Sequence, residues 1–193
     1  MTDDPTPPPS PETTLRYRGE LVRLAAIDPE ADAEVFASWF DDPMATRLAG
    51  FRPVWPLNWA GAKEKLEEWV KQAPGGIHFA VRTVADDRLV GGIGIMGISP
   101  ADGNGELGLS IYRQDDWGLG YGREAIVLTL RYAFNELNLH RVWLTTTGFN
   151  ERALKLYEKL GFRHEGRGRE HILLDGTRWD LVYMGMLRDE FEG

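Results

Sequence analysis

The sequence predicts a mixed α/β layer structure with the element order β-α-α-β-β-β-α-β-α-β-β. Three observations point there. Residues 76–112 hold three apolar runs broken by turn residues, the pattern of an antiparallel meander. Apolar residues recur at helical spacing in two blocks before this meander and two after it. The 193-residue chain shows no internal repeat, which suits one domain with a sizeable core.

Residues 1–14, "MTDDPTPPPSPETT", hold five prolines and no large apolar residue beyond Met1, so they read as a disordered tail ahead of a domain over 15–193. "GELVRLAAID" reads as the first strand. "PEADAEVFASWFDD" follows as a helix, with Val35, Phe36, Trp39 and Phe40 at helical spacing and Asp28 as N-cap. The proline- and aromatic-rich "FRPVWPLNW" is a structured loop. A second helix places Ala62, Leu66, Trp69, Val70 and Ala73 on one face and ends at "PGG". "GIHFAVRTV", with Ile77, Phe79 and Val81 alternating, then "LVGGIGIMGI" and "GELGLSIY" form the meander. A helix runs from Tyr121 to Leu139, with Ile126, Leu130, Ala133, Phe134 and Leu137 inward. "RVWLTTT" is a strand. "NERALKLYEKLG" is a short helix with Asn150 as cap and Gly161 at its C′ position. "FRHEGRGREHILL", the turn Asp175-Gly176 and "TRWDLVYMGML" close the chain as a hairpin.

Composition narrows the chemistry. With 42% hydrophobic and 27% charged residues the chain is an ordinary soluble globular type. No run of 18 apolar residues and no secretory pattern are visible. The absence of cysteine excludes disulfides, Cys-based zinc sites and Cys nucleophiles, and makes the cytoplasm the simplest compartment. A net charge of −8 argues against nucleic acid as main partner. It is compatible with a basic substrate, and equally with solubility alone. The four histidines (His78, His140, His164, His171) show no metal-ligand spacing.

The stretch "DDWGLGYGREA" (115–125) sets Gly118, Gly120 and Gly122 at alternate positions where a helix must begin. Unsatisfied amides and the positive end of the helix dipole there suit a phosphate, and Arg123 adds a cation. The glycines also fit a tight strand-to-helix turn with no ligand. The stretch is neither G-x-G-x-x-G nor a P-loop.

Three stretches together, "WGLGYGREAI", "LNLHRVWLTTTGFNERALKLYEKLGFRHEGRGRE" and "DGTRWDLVYMGML", resemble the GNAT superfamily of acetyl-CoA-dependent N-acetyltransferases, and within it the RimJ/RimL-like branch, over nearly all of residues 16–190. The superfamily signature begins with Arg or Gln; Trp117 stands there in this chain. The resemblance implies a mostly antiparallel twisted sheet, splayed between its fourth and fifth strands, with helices on both faces. It implies that Trp117, Gly118, Leu119, Gly120, Tyr121, Gly122 and Arg123 bind the cofactor, the backbone amides of roughly Leu119 to Arg123 holding the CoA pyrophosphate. The pantetheine arm would lie between residues 107–112 and 141–147, meeting backbone amides such as those of Leu109 and Ile111. Asn150 would face the cofactor as well as cap its helix, and Arg152 and Lys155 would approach the 3′-phosphate. Tyr157, two helical turns beyond Asn150, matches the family tyrosine that protonates the departing thiolate; a core aromatic is the other reading. Glu106 is the candidate general base, or else a solvated strand carboxylate.

The acceptor would enter near Asp41, Asp42, Arg47, Trp55 and Trp59, where the tryptophans read equally as core. Acceptors in keeping with the resemblance are a protein N-terminal α-amine, a polyamine or a small-molecule amine, attacking directly in a ternary complex. A non-catalytic CoA-sensing module is the alternative. Dimerisation, common in the family, would use the last strand.

Overall fold

The computed structural model describes residues 17–50 and 53–193; the expected tail over 1–14 and the head of the 51–59 loop lie outside the described residues. The element order is β1 (Val22–Ala25), α1 (Pro29–Trp39), α2 (Pro43–Leu48), α3 (Trp59–Val70), β2 (Ile77–Thr83), β3 (Leu89–Ser99), β4 (Asn104–Ile111), α4 (Tyr121–Asn135), β5 (Arg141–Thr147), α5 (Glu151–Lys159), β6 (Arg163–Leu174) and β7 (Thr177–Leu187). The seven strands form one sheet in the order β1-β2-β3-β4-β5-β7-β6, antiparallel throughout except for β4 and β5.

Strand alternation divides the apolar residues between the two faces. On one face Val22, Leu24, Val81, Ile95, Leu107, Val142 and Leu144 pack beneath α4 and α5. On the other, Ala80, Leu89 and Tyr112 pack against α1, α2 and α3. The second core is aromatic: Phe36 lies 5.2–5.7 Å from the rings of Trp39, Phe40, Trp69 and Tyr112. The chain entering β1 is fixed to α4, because the Glu124 carboxylate accepts from the backbone amides of Glu20, Leu21 and Val22 at 2.9, 2.8 and 2.6 Å.

Three expectations are corrected. The first helix does not run through residue 42: it stops at Trp39, and a further helix, α2, starts at Pro43. Asp42 caps α2 by accepting from the Met44 and Ala45 amides, and Pro43 occupies a first-turn position where its missing N–H costs nothing. Val70 and Ala73 do not share the buried face of α3; both are exposed, and the helix has ended by Lys71. The helix beginning at Tyr121 ends at Asn135, four residues earlier than the apolar spacing suggests.

Candidate active site

β4 and β5 pair only over Asn104↔Arg141, Gly105↔Val142 and Glu106↔Trp143. Beyond Glu106 the two strands part, while β4 continues its ladder with β3 as far as Ile111. Among the described residues one edge of β4 is therefore left without a strand partner beyond Glu106. The Tyr112 amide donates to Val90 O at 3.0 Å, toward β3. By alternation the N–H groups of Leu109 and Ile111 face the open edge. The Trp117 indole N–H donates to Ile111 O at 3.0 Å on that same edge.

The opening is a cleft of about 730 Å³. Its walls bring together Glu106, Leu109, Ile111, Trp117, Gly118, Gly120, Gly122, Arg123, Asn150, Arg152, Lys155 and Tyr157. Leu119 and Tyr121 are not part of the wall: the Leu119 side chain is exposed and the Tyr121 ring packs on the core. Of the residues expected on the acceptor side, Asp42 is spent on capping α2 and on a bond from Gln114. Arg47 pairs with Asp175 of the β6–β7 turn at 3.4 Å, and Trp55 and Trp59 are exposed. Neither these nor Asp41 line the cleft. Ala45 and Leu48 of α2 and its C-cap Ala49 do, with Met96, Ile172 and Leu181.

The glycine turn has two physical causes. Gly118 (φ 79°) and Gly120 (φ 91°) adopt left-handed backbone that L side chains resist. At Gly122 the cause is proximity: a Cβ there would stand 3.3 Å from Leu109 Cδ2. Among the described residues no side chain caps α4, and its ladder opens with Glu124 N–H donating to Gly120 O at 3.1 Å. The amides of Tyr121, Gly122 and Arg123 thus precede the ladder at the edge of the cleft. The turn is held from behind by Asp116, which is buried and accepts from both arms of Arg88 at 2.8 and 2.9 Å. Those bonds raise the Arg88 pKa further. The Arg152 guanidinium stacks over the Trp117 ring, 3.7 Å from its centroid, and burial lowers its pKa. This is a cation placed beside uncapped helix amides, and it suits an anion. The open β4 edge suits an extended amide-bearing arm. The residues present fit the CoA group that the sequence implies.

Glu106 sits at the vertex where the strands part. Its Oε1 accepts from Thr145 Oγ1 at 3.1 Å. Burial pushes its carboxyl above the usual range, and the Thr145 bond pulls part of the way back. A raised pKa makes the carboxylate a stronger base. Tyr157 lies at the cleft wall, 8% exposed, and burial pushes its hydroxyl up to about 12. It is a neutral donor across the physiological range. Asn150 accepts from the Ala153 amide at 3.3 Å, so the cap is made while the residue also lines the cleft. Sequence reasoning missed Thr145, Arg88 and the α2 wall. The Asp42-Pro43 pair carried a readable helix start for α2. The partners of Glu106 and Asp116 lie 39 and 28 residues away and left no local signal.

Among known proteins, the family model for the acetyltransferase (GNAT) domain matches residues 22–163. The SPbeta prophage-derived uncharacterized N-acetyltransferase YokL of Bacillus subtilis (strain 168) is 31% identical over 177 residues, 91% of this chain and 95% of that protein. Spermidine N(1)-acetyltransferase of Vibrio cholerae is 35% identical over 74 residues, 38% of this chain and 43% of that one. The crystal structure of spermidine N-acetyltransferase from Vibrio cholerae in complex with CoA and spermine superposes with a TM-score of 0.79 at 23% identity. It covers 89% of this chain and 98% of its own, a likeness of fold.

Proposed function

We infer the reaction from one premise: the chain belongs to the GNAT acetyltransferase family, and as such is an acyltransferase that uses acetyl-CoA. In our reading it acetylates a primary amine, a protein N-terminal α-amine or a small-molecule amine, by direct attack in a ternary complex. The aromatic Trp117 at the head of the glycine turn supports placement in the RimJ/RimL-like branch. The observation that carries the reading is the parting of β4 and β5 at a half-buried carboxylate, opposite a helix start whose amides no side chain among the described residues claims.

Bound acetyl-CoA supplies the activated acyl group. The amides of Tyr121, Gly122 and Arg123, with Arg123 and Arg152, hold the anionic end. The open-edge amides of Leu109 and Ile111 orient the arm, and a preorganised N–H there favours charge that develops on a carbonyl oxygen. Glu106 takes a proton from the incoming ammonium, because only the neutral amine attacks. Tyr157 holds its proton at Oη and donates a hydrogen bond toward the departing sulfur. A free thiol ionises near 8.5, so complete transfer from a phenol at about 12 is uphill by about 5 kcal/mol. Tyr157 therefore steadies the leaving thiolate by donating a hydrogen bond, and the proton that the attacking nitrogen sheds as the amide forms is the one that makes the free thiol.

The test is incubation with acetyl-CoA and a panel of primary amines, with free-thiol release followed and the products read by mass spectrometry. Acetylated amine with stoichiometric thiol is expected. Absence of any CoA affinity by calorimetry would overturn the reading.

A further inference from the structure

The cleft distributes its charge unequally. Its α4–α5 side carries four cations: Arg123, Arg152, Lys155 and Lys159. At the vertex stands one carboxylate, Glu106, which accepts its hydrogen bond from the neutral Thr145 hydroxyl. The other carboxylate in the wall, Asp116, is already matched by Arg88. Beyond Glu106, on the face of the sheet that bears α1–α3, the wall is mostly apolar, with His171 and Thr147 as its polar members. Ala45 and Leu48 come from α2 and Ala49 from its C-cap, Met96 from β3, and Ile172 and Leu181 from the terminal hairpin. Met96 pairs with Glu106 across the β3–β4 ladder, so both side chains leave the same face. The Met96 methyl lies 2.7 Å from where a Cβ on Gly108 would stand, so the missing side chain lets the thioether lie along β4 next to the carboxylate. Outside the cleft lining, the exposed Asp175 of the β6–β7 turn pairs with Arg47 at 3.4 Å.

Building on the acetyl-transfer reading, we propose that the acceptor is a monoamine with an apolar body, its single cationic nitrogen at Glu106 and its body against α2 and the β6–β7 hairpin, and that polyamines are poor acceptors. The physical reason is counter-charge. A polyamine brings further ammonium groups along its length, and each needs an anion or water. Among the described residues the cleft offers Glu106 and no second unmatched carboxylate. The apolar wall has no use for a polycation, but it gains from excluding water around an alkyl or aryl group.

With acetyl-CoA saturating, n-hexylamine and 2-phenylethylamine are expected to give kcat/KM at least tenfold above spermidine. Calorimetric titration of n-hexylamine and spermidine into the CoA-loaded protein should follow the same order. Leu48→Glu, and separately Ala49→Glu in case the first fails to fold, adds the missing anion and should shift the spermidine-to-hexylamine ratio at least tenfold toward spermidine. Spermidine leading in the wild type would sink the proposal while leaving acetyl transfer intact. So would CoA binding with no affinity for either amine. No CoA affinity at all would instead sink the acetyl-transfer reading, and this proposal with it.

Discussion

Four of the five α-helices among the described residues begin on a side chain that closes their own amides, and one does not. Asp28, Asp42, Asn58 and Asn150 cap α1, α2, α3 and α5, accepting from amides two or three residues on. α4 begins on Gly120, which has nothing to offer. The contrast is sharpest between α4 and α5, since both start at the same cleft. α5 spends its amide on Asn150, whereas α4 keeps its amides for whatever enters. A capped helix gains about 1 kcal/mol locally. Leaving the cap off forgoes that, and the loss makes physical sense where an external anion takes the cap's place.

The largest expected effect separates the two ends of the cleft. Glu106→Gln should lower kcat about a hundredfold or more in steady-state assays, as loss of a general base does, and leave CoA affinity by calorimetry unchanged. In the wild type, activity requires ionised Glu106, so kcat/KM should fall as pH drops through a midpoint above the usual carboxylate range. The stability sign is opposite. A carboxyl whose folded pKa is raised contributes most below its unfolded value, and that contribution is lost as pH rises through the folded value. The glutamine side chain of the variant stays neutral at every pH, so the variant should melt no lower than wild type at pH 7. A lower melting temperature together with weakened CoA binding would show a structural role instead.

Next in size, Gly120→Asp gives α4 the kind of cap the other helices have. It sets a carboxylate over the three amides and should weaken CoA binding about a hundredfold, from lost charge-assisted bonds and the reversed charge at the helix start. Left-handed backbone at this position should also lower the melting temperature by a few degrees. Unchanged affinity would erase the contrast between α4 and its neighbours. Arg152→Gln is a milder probe: about a fivefold loss of CoA affinity and a shallower dependence on salt, both by calorimetry. Smallest for binding are the true caps. Asp28→Ala or Asn58→Ala should cost about 1 kcal/mol in denaturant unfolding and leave CoA affinity where it was.

Much of this contrast is legible in the residues alone. The glycine spacing at 118–122 marks α4 as unusual, and the Asn150–Tyr157 spacing puts both residues at one cleft. What escapes depends on length or distance. α2 spans six residues, too few for a hydrophobic period to register, and its start is absorbed into the preceding helix. Val70 groups with Trp69 in the apolar pattern although neighbours on a helix point about 100° apart; the structure keeps Trp69 packed and leaves Val70 in solvent. The Thr145 bond to Glu106 needs the parallel register of two strands separated by α4, which no local pattern encodes.

The Glu124 carboxylate has a consequence beyond packing. It rises from the first turn of α4 and grips three successive amides 102–104 residues earlier in the chain. The start of β1 and the anion-facing turn therefore form one mechanical piece. Occupancy at the turn should register as slower deuterium uptake at Glu20, Leu21 and Val22, a remote reporter of loading that touches no catalytic group.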